Sequence, residues 1–136
     1  MATRSRIGIK NEDGSISSIY CHWDGYPEHN GKILKEHYTD PEKVKALMVL
    51  GDLSSLNEEI GESQDFDRRE THHEKWCLAY GRDRGEPNTS YKNHPTEKEF
   101  LETTKGSWGE YAYIFEEGIW KVAGLAGENF MGWEAV

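Results

Sequence analysis

The sequence predicts a single α+β domain over residues 1–136, with a mainly antiparallel sheet of two hairpins plus one further strand and two or three short helices. Three observations predict it. Two segments alternate apolar and polar residues at period two, and each contains a turn signal. Helical patterns with N-cap residues lie between these segments in mixed order. There is no repeating strand–helix alternation and no Gly-rich phosphate loop, so an α+β domain is the economical reading.

The elements follow in chain order. Ile7 and Ile9 alternate with Gly8 and Lys10, and Asp13-Gly14 supplies turn chemistry. The return strand sets Ile19 and Cys21 on one face and Ser18, Tyr20 and His22 on the other. His22 and Trp23 thus stand at a strand end, and "DGYPEHNG" leaves it as a loop. Ile33, Leu34, His37 and Tyr38 then fall within a helical turn of one another. In "TDPEKVKALMVLG", Thr39 and Glu42 have capping-box spacing and Pro41 suits the first turn. Val44, Leu47, Met48 and Leu50 form its apolar face, and Gly51 is placed to end it. "DLSSL" reads as a turn or a single helical turn held by Leu53 and Leu56.

Residues 57–74 carry little apolar content and read as an extended surface segment. "KWCLAYG" is the next strand, and residues 81–95 form a second long polar connection. Thr96 and Glu99 repeat the capping-box spacing ahead of a short helix. In "EYAYIFEEGIWKVAG", Tyr111, Tyr113 and Phe115 alternate, "EEG" turns, and Ile119, Trp120 and Val122 return. Phe130, Met131 and Trp133 are expected to pack on the sheet.

Composition narrows the classes of function. The chain of 136 residues is 35% hydrophobic and 30% charged, a thin core offset by five Trp, seven Tyr and four Phe. The formal charge is −9; residues 1–38 carry five bases and five acids, so the acid excess falls on the remainder. Such a chain lacks the basic face that general nucleic-acid binding requires. The acidity is compatible with imitation of nucleic acid, although its commoner role is solubility. No run is long enough to cross a membrane, and the basic N-terminus lacks a signal-peptide core. Cys21 and Cys77 show no CxxC spacing and read as reduced thiols in a cytosol, Cys77 as a buried hydrophobe.

The run "IYCHWDGYPEHNG" concentrates the chemistry-bearing residues. His22, Asp24 and His29, with His72, His73 and Cys77, are metal-ligating types, but no spacing matches a zinc pattern. Cys21 and His22 point to opposite faces of a strand and cannot pair. The serines lack a nucleophile elbow. No catalytic residue, metal or other cofactor is therefore expected. The arginines come in pairs: Arg4 with Arg6, Arg68 with Arg69, and Arg82 with Arg84. Two pairs converging near Trp23 and Tyr26 would make a stacking and phosphate-clamping pocket. The plainer reading is that each pair balances Asp65, Asp67, Glu70 and Asp83. Trp23 and Tyr26 also suit interface anchors, with Asp24 and Glu28 as polar rim, against the alternative that Trp23 caps the core.

"ATRSRIGI", "DGSISSIYCHWDGYPEHNGKIL" and "HYTDPEKVKALMVLGDLSSL" together resemble a family of small uncharacterised bacteriophage and prophage proteins. The resemblance covers residues 2–56, and CHWDGYP is its most specific part. It implies the cytoplasm of a bacterial host during infection, where small acidic phage proteins manipulate host machinery or blunt host defence. It transfers no catalytic residue. The combined expectation is stoichiometric binding to a host bacterial protein, with inhibition as the outcome. The alternative is a nucleotide-binding sponge, or a small nucleotide-acting enzyme, using the paired arginines. The partner- or ligand-binding residues would be His22, Trp23, Asp24, Tyr26, His29, Arg68, Arg69, Arg82 and Arg84. The pattern also allows a symmetric homodimer through an exposed sheet edge.

Overall fold

The computed structural model describes residues 2–125 and 132–136. The first hairpin pairs β1 (Ser5–Lys10) with β2 (Ile16–Cys21), with Ile7 opposite Ile19. The second pairs β6 (Tyr111–Glu116) with β7 (Ile119–Gly124), with Phe115 opposite Trp120. The hairpins join through a parallel β1–β6 contact in which Ile7 faces Tyr113. Among the described residues the sheet has eight strands; with β3 (Leu53–Ser55), β4 (Leu78–Ala79), β5 (Lys92–His94) and β8 (Glu134–Ala135) the order is β4-β3-β2-β1-β6-β7-β8, with β5 also on β2. It is a mostly antiparallel mixed sheet, and the chain is an α+β fold.

The short strands depart from the sequence expectation. "DLSSL" is not a helical turn but β3 (Leu53–Ser55), because the His22 N–H donates to the Leu53 carbonyl and draws the segment into the sheet. "KWCLAYG" contributes only β4 (Leu78–Ala79) before the chain turns into α3 (Tyr80–Arg84). The 81–95 connection holds an unexpected strand, β5 (Lys92–His94), antiparallel to residues 16–18 of β2. The outer edge of β2 is therefore forked, with β5 on one part and β3 at Cys21. In the gap the Tyr20 N–H donates to Asp52 Oδ1 at 2.9 Å, a carboxylate standing where a strand carbonyl would be. Burial raises the pKa of Asp52.

The helices cover both faces. α1 (Lys32–His37) and α2 (Pro41–Leu50) bring Leu34, Val44 and Leu47 against Ile7, Ile19, Tyr113, Phe115 and Trp120. The cap of α2 is Asp40 rather than Thr39: Asp40 Oδ1 accepts the Glu42 N–H at 2.9 Å, and Pro41 takes the first helical position. Gly51 ends the helix at φ 87°, as its spacing predicts. On the opposite face α4 (Glu97–Gly106) buries Phe100 among Ile16, Ala112, Ile114 and Leu125. Thr96 caps it by accepting the Glu99 N–H, as the sequence predicts. Trp133 packs against this second cluster and donates its indole N–H to Glu97. β8 (Glu134–Ala135) pairs with β7. Phe130 and Met131 lie outside the described residues.

Candidate functional site

The loop after β2 is fixed from three sides. The Trp23 N–H donates to the Ser54 carbonyl at 3.0 Å, and the Gly25 N–H donates to the Thr3 carbonyl at 2.8 Å. The buried Tyr113 hydroxyl donates to the Gly25 carbonyl at 2.6 Å. A Cβ at position 25 would lie 2.8 Å from the Thr3 carbonyl oxygen and from Ser5 Cβ, so the close approach requires glycine. Asp24 takes a left-handed backbone, φ 55°, a conformation Asp tolerates better than most residues. A single π-helical turn, Pro27–Gly31, then leads into α1. Asn30, fully buried, donates through Nδ2 to Cys21 Sγ at 3.4 Å. Much of the CHWDGYP run is thus conformational machinery that holds one loop shape.

That shape displays two aromatic rings. Trp23 is 39% exposed and Tyr26 36% exposed. The His22 ring meets Trp23 edge-on at 4.8 Å and is itself held by Tyr20, whose hydroxyl lies 2.7 Å from His22 Nδ1. Tyr26 reaches back to Asp24 Oδ1, and His29 lies beside it at 6.2 Å between ring centroids. Burial lowers the pKa of His22, with Arg4 adding to the effect.

Trp23 and Asp24 form one wall of a cleft of about 400 Å³. Ser54, Ser55 and Leu78 contribute from β3 and β4, and Phe66, Arg69 and His72 from the long polar segment. That segment is anchored through a partly buried ion pair between Arg82 and Asp83, 2.9 Å from Nε to Oδ1. Arg82 also donates to the carbonyls of Ile60 and Cys77, while Asp83 accepts the N–H groups of Gln64 and Ala79. Phe66 stacks on Tyr80 at 5.5 Å, and the Arg84 guanidinium carbon lies 5.2 Å from its centroid. His72 Nε2 donates to the Asp65 carbonyl at 2.7 Å, which fixes its ring.

The arginine pairs therefore divide. Arg68 pairs with Glu70 at 3.5 Å, and Arg82 is a structural clamp away from the cleft lining. Arg84 lies over the Phe66 ring and is not among the residues lining the cleft. Arg69 alone of these four lines the cleft, and among the described residues its guanidinium makes no hydrogen bond or ion pair. Tyr26 and His29 stand on the same loop outside the cleft lining. Sequence reasoning passed over Ser54, Ser55, Phe66 and Leu78, and weighed His72 only as a metal ligand or a solvated residue. The one signal for this wall was a lone Phe66 within a charge run.

A second polar cluster lies on the α4 face. Arg6, 3% exposed, donates through Nε to Ser18 Oγ at 2.9 Å and through a terminal nitrogen to the Ser18 carbonyl. Ser18 Oγ lies 2.7 Å from His94 Nε2. Arg6 always donates, so Ser18 Oγ accepts from it and links the guanidinium to the His94 ring. Burial, followed by Arg6 and Lys92, pushes the His94 pKa down to about 4. Ser18 is fully buried, so the Ser–His contact is closed to a substrate and acts as a structural link. Cys21 is equally enclosed, with burial pushing its thiol up to about 12. Cys77 is buried and likewise raised by burial. Among the described residues no three His, Cys, Asp or Glu side chains are grouped as metal ligands. No helix among them is long and apolar enough to cross a membrane. No family model, curated protein or solved structure matches the chain.

Proposed function

We propose that this is a small acidic phage-encoded protein of the bacterial host cytoplasm. It acts by stoichiometric binding to a host protein, with inhibition of host machinery or antiviral defence as the outcome. The observation that carries the binding part is the pinned loop with Trp23 and Tyr26 on its surface. Interface energy concentrates in a few large aromatic anchors, and anchors held in one pose before contact lose less entropy on binding. The phage and host part rests on the resemblance of residues 2–56 to phage proteins. Enclosure of Ser18, Cys21 and Cys77 favours binding over nucleophilic catalysis.

The test is capture from lysate of infected bacteria, followed by reconstitution with the purified captured protein. The expected result is one partner at fixed stoichiometry. Trp23→Ala should weaken it at least tenfold, a loss of more than about 1.4 kcal/mol, with the melting temperature unchanged. Undiminished binding by the Trp23→Ala, Tyr26→Ala double variant would overturn the anchor assignment.

A further inference from the structure

We infer that the cleft between Trp23 and Arg69 is a small-molecule site for a mononucleotide, a flat nitrogen heterocycle that carries a phosphate. This goes beyond protein binding and does not depend on it. Four features converge. The volume, about 400 Å³, lies within the range of roughly 300–1,000 Å³ typical of small-molecule sites. Trp23 is a partly exposed indole braced by His22, a ring platform that stays in place while another ring stacks on it.

The third feature is charge. The chain carries 25 acidic residues, yet Arg69, exposed and lining the cleft, has no acidic partner among the described residues, while Arg68 and Arg82 are paired. A free guanidinium in a cleft matches the bidentate geometry of phosphate. The fourth is hydrogen-bonding capacity beside the platform. One Asp24 oxygen already accepts the Tyr26 hydroxyl, the other can accept the N–H groups of a heterocycle, and the Ser55 hydroxyl can donate and accept. The ring stacks on Trp23, its N–H edge meets Asp24, and the phosphate meets Arg69. Of the paired arginines, Arg69 is the phosphate ligand. Arg82 and Asp83 hold the wall that carries it.

Isothermal titration of the full chain with AMP, GMP, CMP and UMP, each alone, tests the assignment. At least one should bind saturably. The matching nucleoside and inorganic phosphate, titrated separately, should each bind at least tenfold more weakly. Arg69→Gln and Trp23→Leu should each weaken the nucleotide at least tenfold. Arg68→Gln, outside the cleft, should change it less than twofold. Arg69 lies on an exposed turn, so its variant should keep the parent melting temperature without ligand. Absence of saturable binding to all four nucleotides at millimolar concentration would overturn the inference. So would binding that survives Arg69→Gln, or inorganic phosphate binding as tightly as the nucleotide.

Discussion

The two faces of the sheet are built on different physics. The face under α1 and α2 buries a broad apolar cluster that runs from Ile7 through Leu47 to Trp120. The face under α4 has a smaller cluster centred on Phe100 and, beside it, the chain from Arg6 through Ser18 to His94. The first face spreads its stabilisation over many interchangeable contacts. The second concentrates it in one ring and one set of directional hydrogen bonds. Area gives tolerance, whereas directional bonds give sensitivity to single atoms and to protons.

The largest effect should come from the ring at the centre of the smaller cluster. Phe100→Ala is expected to cost about 3–5 kcal/mol, and Leu47→Ala on the larger face about 2–5 kcal/mol. Urea unfolding of both variants measures the contrast. A Phe100→Ala cost below that of Leu47→Ala would remove the distinction between a concentrated and a distributed face.

The next effect is pH dependence, and it belongs to the polar face. His94 titrates near 6.5 when unfolded and near 4 when folded, so between those values the unfolded chain binds more protons. Stability is therefore fully present above about pH 6.5 and falls as pH drops through the window toward 4. This single group contributes up to about 3 kcal/mol of the loss. Urea midpoints at pH 7 and pH 4.5 should show a fall that His94→Gln largely removes. An equal fall in that variant would assign the pH dependence elsewhere.

Helix caps come third, one for each face. Asp40→Ala frays α2 and Thr96→Ala frays α4, each by about 1 kcal/mol. Similar losses would show that both faces rest equally on their helix entries. Smallest of all, Tyr26→Ala should shift stability by less than about 0.5 kcal/mol, because its ring lies outside both clusters.

The hairpins and the two longer helices were legible because each carries its own local signal. Ile7 and Ile9 alternate, Tyr111, Tyr113 and Phe115 alternate, and Thr96 sits at cap spacing. β3 and β5 were not, since three residues cannot establish a period and both are set by pairing to β2. The cap of α2 shows a finer limit. Thr39 and Asp40 both precede Pro41, and spacing alone favoured Thr39, whereas the backbone presents Asp40 to Glu42. For the site, the sequence located the Trp23 wall because its aromatics are crowded into one run. The opposing wall was illegible because Phe66 and His72 reach the cleft through contacts between distant segments, the Arg82–Asp83 clamp and the Phe66–Tyr80 stack among them. Ser18 and His94 are 76 positions apart, and no local pattern joins them.

The parallel seam between β1 and β6 bears on how the chain can be divided. Residues 2–56 end with one edge of β1 still waiting for Tyr111–Glu116 and with α1 and α2 missing Tyr113, Phe115 and Trp120 from beneath them. That stretch is not a module that could be cut out or transplanted alone. The two halves of this chain therefore complete one sheet and one core together, and the strand that welds them belongs to both.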